Sequence, residues 1–224
     1  MRALKPGEAC LVYDDVLPPE RQKELNEYLG MPGWEWGWRS NRATDQYRFF
    51  HKHFAGSRRA DRRDDKTKEV LDAGYDCEDE LQDNAPIIWL FWKDVQSVLL
   101  AGHTLVRCYA NGLQYGSDGT LHTDSVVPWS YTCVYYPHET WDPDWAGETL
   151  FFNRSKTEII GACHPRPNRL CVFPGTTFHV ARGVSRLCPV LRITLMFKTE
   201  FKQVRDRASE KSASETHEPG TETP

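Results

Sequence analysis

From Asn84 onward, Ile87, Ile88, Phe91, Val95, Val98 and Leu99 recur three and four apart, with Lys93, Asp94, Gln96 and Ser97 between them. On a helix such positions share one face, so the spacing predicts an amphipathic helix laid against a sheet. A shorter helix is expected over Glu20 to Leu29. Pro18-Pro19 open it, Leu25, Tyr28 and Leu29 supply its apolar stripe, and Gly30 and Pro32 end it. Ahead of it, Ala9 to Tyr13 has the apolar pattern of a strand and stops at Asp14-Asp15. Trp34, Trp36 and Trp38 are spaced by two. A strand would put all three on one face, either in the core or along the wall of a substrate pocket.

The second half has a different texture. Leu105 to Ala110, Tyr131 to Tyr136, Thr149 to Phe152, Arg169 to Phe173, His179 to Ala181 and Leu191 to Lys198 are short strand-like runs, separated by Gly, Pro, Asn and Asp. Helices followed by many short strands predict a mainly β fold, an antiparallel double sheet braced by the early helices. Positions 1–202 are read as one domain, with support and substrate-shaping elements over 1–104 and the double-sheet core over 105–200. Positions 203–224 are rich in Glu, Ser, Thr and Lys, with almost nothing apolar to offset ordering entropy, and are expected to be disordered.

A chain of 224 residues is long enough for one sizeable core and short for two. Its net charge of -4 calls for neither a nucleic-acid nor a membrane partner. The most basic stretch, Ser57 to Arg63, runs straight into Asp64-Asp65 and reads as a solvated loop or helix end. No apolar run approaches the ~20 residues of a membrane helix, and the first residues lack the apolar centre of a signal peptide. The expected location is cytoplasmic. Seven cysteines without a CxxC pair fit reduced, mostly buried thiols rather than a zinc ribbon.

One tripeptide carries candidate chemistry, His122-Thr123-Asp124. In a strand, residues two apart face the same way, so an imidazole and a carboxylate could reach one metal. Surface residues at that spacing are common, and a third ligand is needed. Downstream, His138 and His164 sit beside prolines and His217 lies in the polar tail. His179 follows two apolar stretches hinged at Pro174-Gly175, which puts an imidazole at the edge of an apolar strand pair. Two histidines and one carboxylate on one face of an iron leave three positions for O2 and a bidentate co-substrate. Arg192 lies within Leu191-Arg192-Ile193-Thr194-Leu195-Met196-Phe197, where a charge is costly unless a carboxylate meets it. With Thr194 on its face, it could bind the distal carboxylate of a dicarboxylic co-substrate, or form an internal salt bridge instead.

Further motifs stand in order around these residues: Cys108-Tyr109-Ala110-Asn111-Gly112, Thr132-Cys133-Val134-Tyr135-Tyr136 followed by Trp141-Asp142, Gly147-Glu148-Thr149-Leu150, and Arg169 to Phe173. Together they resemble the Fe(II)/2-oxoglutarate-dependent dioxygenases, in particular the prolyl 4-hydroxylase-like branch and its hypoxia-inducible-factor prolyl hydroxylases. The resemblance runs from about Leu105 to Lys198. Before that only Asp14-Asp15-Val16-Leu17 is similar, at the opening of the first helix. The family fold it implies is a double-stranded β-helix of jelly-roll or cupin type. It implies Fe(II) on His122, Asp124 and His179. It places 2-oxoglutarate among Tyr109, Thr132, Tyr136, Arg192 and Thr194. The link from His179 to Arg192 is longer than the family's and contains Arg182 and Arg186, which are alternative carboxylate binders.

The implied reaction consumes O2 and 2-oxoglutarate, releases succinate and CO2, and hydroxylates a C–H bond, with ascorbate as reductant. A small molecule such as an amino acid or natural-product intermediate is the expected substrate, with Trp34, Trp36, Trp38 and Trp129 as candidate lining. A peptidyl-prolyl substrate is the alternative. From another class, a non-catalytic cupin-like binding protein fits the same strand pattern. The Arg-x-Asn-x-Thr-x-Arg pattern of the nucleic-acid demethylases is missing.

Overall fold

Strand β10 (Arg192–Phe201) lies inside a seven-stranded antiparallel sheet, and its two faces serve two different layers. The computed structural model describes residues 1–5, 7–40, 45–56 and 76–201. The basic stretch from Ser57 and the tail expected to be disordered lie outside the described residues.

Four elements precede the central helices: β1 (Leu11–Tyr13), α1 (Pro19–Gly30), β2 (Glu35–Trp38) and β3 (Phe49–Ala55). Helices α2 (Cys77–Asn84) and α3 (Pro86–Val98) follow. Then come β4 (His103–Leu113), β5 (Ser130–Tyr136), β6 (Thr149–Phe152), β7 (Ile159–Cys163), β8 (Arg169–Pro174), β9 (Phe178–Ala181) and β10. The large sheet runs β1-β8-β5-β10-β4-β3-β2 and a small sheet runs β7-β6-β9, with every pairing antiparallel. The expected double sheet braced by early helices is the architecture observed.

One core lies between the large sheet and the helices. Ile193, Leu195 and Phe197 of β10 meet Ile88, Phe91, Trp92 and Val95 of α3 there, and the Phe91 ring sits edge-on to Tyr135 at 4.7 Å and to Phe197 at 5.8 Å. A second core between the sheets contains Tyr109, Val134, Tyr136, Phe151, Phe173 and Met196. A strand covered on both faces has no solvent side, which is why β5, β8 and β10 read as continuous apolar runs rather than alternating ones. All seven cysteines are free thiols and five are buried. No helix among the described residues is long and apolar enough to cross a membrane.

The structure differs from the sequence expectations at three places. The helix expected from Asn84 is α3, which starts at Pro86, where a missing N–H costs nothing; a separate helix that was not expected, α2, ends at Asn84 just before it. Helix α2 has only Cys77 and Leu81 buried, and is started by Asp76, whose carboxylate accepts the Glu78 N–H at 2.7 Å. The α3 stripe is also rotated: Val98 is exposed, and Trp92 is fully buried in its place. Finally, the three tryptophans do not share a face. Trp34 precedes β2 and donates its indole N–H to the Leu29 carbonyl at 3.1 Å. Gly37, at φ +118°, accommodates a bulge between Trp36 and Trp38 that resets the alternation.

Trp92→Ala should lower the unfolding free energy by about 3–5 kcal/mol, read as a fall in urea midpoint. Trp92→Phe should cost much less, since the buried indole N–H it removes has no hydrogen-bond partner. Equal losses for both would show that α3 does not depend on this ring's volume.

Candidate metal centre and its cavity

His179 is held on β9, opposite Phe151 of β6. His122 meets it through a single antiparallel bridge, each donating its N–H to the other's carbonyl, at 3.1 and 2.9 Å. The sequence reading places His122 and Asp124 on a strand; the segment is instead irregular, and other contacts fix it. The Gly175 carbonyl accepts the N–H groups of Asp124 and Ser125 at 2.9 and 3.0 Å. Space around Gly175 is tight: a Cβ there would lie 2.5 Å from Ser130 Oγ and 3.2 Å from Ser125 Cβ.

The side chains then converge. His122 Nδ1 lies 2.7 Å from the Thr120 carbonyl, and His179 Nδ1 lies 2.9 Å from the Thr177 carbonyl. A carbonyl only accepts, so each Nδ1 carries the proton and each Nε2 presents its lone pair. The two Nε2 atoms are 3.4 Å from Asp124 Oδ1 and Oδ2 respectively. One donor atom from each of the three residues falls within 4.8 Å of the others. Burial pushes the His179 pKa down to about 4, so its imidazole is neutral at pH 7. Burial also opposes charge on His122, but the hydrogen bond and charge of Asp124 outweigh it and raise that pKa. Asp124 is itself buried against ionisation, yet Lys198 and the two histidines hold its carboxyl well below the usual range.

Arg192 lies further along the cavity and is 1% exposed. Its Nε donates to the Gly147 carbonyl at 2.6 Å and one Nη to Thr149 Oγ1 at 3.3 Å. The other, Nη1, is buried without a hydrogen-bond partner. No carboxylate among the described residues pairs with this guanidinium, so the internal salt bridge is not formed. Gly147, at φ +88°, lets the chain pass close by; a Cβ there would sit 2.9 Å from Arg192 Cδ. Arg182 and Arg186, the alternatives, are exposed.

A cavity of about 430 Å³ joins these features, with Trp38, Tyr109, Thr132, Thr194, Arg192 and the three metal-ligand candidates on its walls. Tyr136 is not a wall. It is fully buried behind Thr149, its hydroxyl 2.9 Å from Thr149 Oγ1, with Arg192 over its ring at 5.5 Å. Thr132, on the cavity wall, also donates its hydroxyl to Asp124 Oδ2 at 2.7 Å. Trp34, Trp36 and Trp129 do not line the cavity. Two residues were missed by sequence reasoning. Thr149 stands inside a quoted motif, and Lys198, which forms an ion pair with Asp124, is reached by continuing the Arg192–Thr194 alternation two steps further.

His138 supports β10 by accepting the Ile193 N–H on its Nε2 at 3.0 Å. Burial first, then the charge of Arg192, pushes its pKa down to about 4. The unfolded chain therefore takes up a proton near pH 6.5 that the folded protein refuses. The share of stability linked to His138 should be complete above about pH 6.5 and fall by about 3 kcal/mol as pH drops toward 4. His138→Gln keeps an acceptor without a titrating group, so it should make the acid limb shallower in urea melts at stepped pH, leaving the share of His179. An unchanged limb would remove His138 from its cause.

No protein-family model matches the chain, and no curated protein matches it. Solved structures do. A prolyl hydroxylase from Trichoplax adhaerens, in complex with a hypoxia-inducible-factor peptide fragment, superposes with a TM-score of 0.55 at 13% identity, over 88% of this chain and 86% of that one. A Pseudomonas putida prolyl-4-hydroxylase gives 0.53 at 14% identity, over 86% and 92%. HygX from Streptomyces hygroscopicus, with nickel and 2-oxoglutarate bound, gives 0.55 at 9% identity, over 87% and 84%. The chain therefore has the jelly-roll fold of the 2OG-Fe(II) oxygenases, prolyl hydroxylases among them.

Proposed function

We propose that this chain is an Fe(II)- and 2-oxoglutarate-dependent oxygenase that hydroxylates a C–H bond of a small molecule. The observation that carries the reading is Arg192, a buried cation with an unmatched Nη1 and no carboxylate of its own, on the wall of the cavity that holds two bare imidazole nitrogens and a carboxylate. A buried guanidinium left in that state is costly unless an anion completes it. The distal carboxylate of 2-oxoglutarate is such an anion, with the hydroxyls of Thr149 and Thr194 beside it.

The donor set suits ferrous iron: two imidazoles and one carboxylate. His122, Asp124 and His179 would hold it, with both ring orientations fixed from behind by backbone carbonyls. Thr132 holds Asp124. Tyr109 lines the same cavity. When bound, iron and 2-oxoglutarate supply a balanced oxidation, in which one atom of O2 enters the substrate as C–OH, the other enters succinate, and CO2 leaves.

The cavity volume falls in the range of small-molecule sites. Its outer wall is aromatic, with Trp38 stacked on His51 at 3.9 Å. HygX, of the same fold, has been captured with hygromycin B bound. A peptidyl-prolyl substrate is the second reading, favoured by likeness to the Trichoplax adhaerens enzyme in complex with a peptide.

Protein reconstituted with Fe(II), 2-oxoglutarate and ascorbate in air should release succinate, measured by NMR across free amino acids, proline peptides and metabolite pools. Succinate no higher than that of an Asp124→Ala control would leave a non-catalytic binding protein.

A further inference from the structure

Lys198 is the cation at this site that the proposed chemistry does not use. Alternation along β10 places Arg192, Thr194, Met196 and Lys198 on the face that lines the cavity. Six residue steps of strand separate the two cations, about 20 Å between Cα atoms. Arg192 is therefore placed for one end of the co-substrate, and Lys198 for something else. It stands at the metal-ligand end, its ammonium paired with Asp124 Oδ2 and 3.3 Å from Thr132 Oγ1.

A second cation stands beside it. Lys198 and Arg107 are direct partners across β10 and β4, so both side chains leave the sheet on the same face. Both charged groups lie over one ring, Tyr109, the Arg107 guanidinium at 4.6 Å and the Lys198 ammonium at 5.9 Å from its centroid. The Trp38 ring also lies 5.0 Å from the Arg107 guanidinium. In the metal-free chain Asp124 supplies negative charge to Lys198. A divalent ion on Asp124 draws on that same charge, and leaves the ammonium facing the cavity in need of another anion. The hydroxyls of Ser125, Ser130 and Thr132 line the same cavity. Its remaining carboxylate, Glu200, forms no ion pair among the described residues.

We propose that Lys198 and Arg107 anchor a carboxylate of the prime substrate, so that the molecule oxidised is a small organic acid. The proposal rests on the oxygenase reading above and narrows its substrate class. The Trp38 and Tyr109 rings beside the anchor favour an acid with an apolar or aromatic body.

The test uses full-length protein loaded with Co(II) and 2-oxoglutarate, titrated with propionate, benzoate and N-acetylglycine and with the matching primary amides. Binding is followed by calorimetry and by the cobalt absorption bands. At least one acid should bind, its amide should bind far more weakly, and Lys198→Met should weaken the acid by about 30-fold. Lys198→Arg should restore part of the loss, and Arg107→Gln should reproduce it more weakly. Thermal melts of each variant report folding. The proposal is overturned if no acid binds, if amides bind as well as acids, or if Lys198→Met binds acid normally. It is also overturned if Lys198→Met loses Co(II) affinity in proportion, which would make Lys198 a support for Asp124 alone. Succinate release with Fe(II) in the same preparation separates the two readings: its absence sinks the oxygenase, and its presence with indifferent acid binding sinks only the anchor.

Discussion

Asp124→Ala should abolish Co(II) binding and cut iron-dependent succinate release on the order of a thousandfold, about 4 kcal/mol of transition-state stabilisation. The carboxylate is the one anionic donor among the three candidate ligands, and it touches both imidazoles, Thr132 and Lys198. Its removal has a second effect that loss of a metal ligand alone would not produce. Lys198 would be left as a mostly buried ammonium without its carboxylate, and breaking such a pair from one side costs about 3–5 kcal/mol. The single variant should therefore be destabilised even without metal. Adding Lys198→Met should recover most of that stability and none of the activity. Urea melts of the metal-free single and double variants check this. If the second substitution recovers nothing, the ion pair is not what holds this end of the cavity together.

Arg192→Met should move stability and function in opposite directions. The apparent KM for 2-oxoglutarate should rise about 100-fold, equivalent to about 3 kcal/mol of lost binding. Turnover at saturating co-substrate should change far less, because Arg192 sits at the distal end of the proposed co-substrate. The ligand-free variant should melt no lower than the wild type. It removes a fully buried charge that no carboxylate matches, which offsets the lost bond to the Gly147 carbonyl. Saturating 2-oxoglutarate, at about 100 times its Kd, should stabilise the wild type by about 2.7 kcal/mol and the variant hardly at all. An unchanged KM would reject Arg192 as the carboxylate binder.

Arg192 was legible in the sequence because a charge inside an apolar run has few physical excuses. Lys198 was not, although it lies on the same strand and the same face. It stands where the apolar run gives way to Lys198-Thr199-Glu200, and a lysine there reads as the solvated end of a strand; the strand in fact continues to Phe201. His179 could be named from its place after an apolar pair of stretches. Its partnership with His122 could not, because a one-rung bridge between irregular backbone and β9 has no periodicity to detect. The motif carrying Tyr136 pointed to the right neighbourhood, but which of two stacked side chains faces the cavity depends on packing, and it is Thr149. The tryptophan stripe failed for a local reason, since a single glycine bulge reverses the alternation on which the reading rests. Strand β3 escaped notice because His51, Lys52 and His53 interrupt its apolar residues.

The position of Trp38 has a further consequence. It is carried by β2, the outermost strand of the large sheet, whereas Asp124, His179 and Arg192 hang from backbone tied into β8, β9, β6 and β10. Among the described residues nothing pairs beyond β2 in the sheet, so a backbone adjustment there need not travel through other rungs. Insertions, or a changed aromatic at 38, should be tolerated by the chain while altering what fits against Arg107. The sheet thus offers a rim where substrate preference can be retuned by directed evolution with little risk to the machinery within.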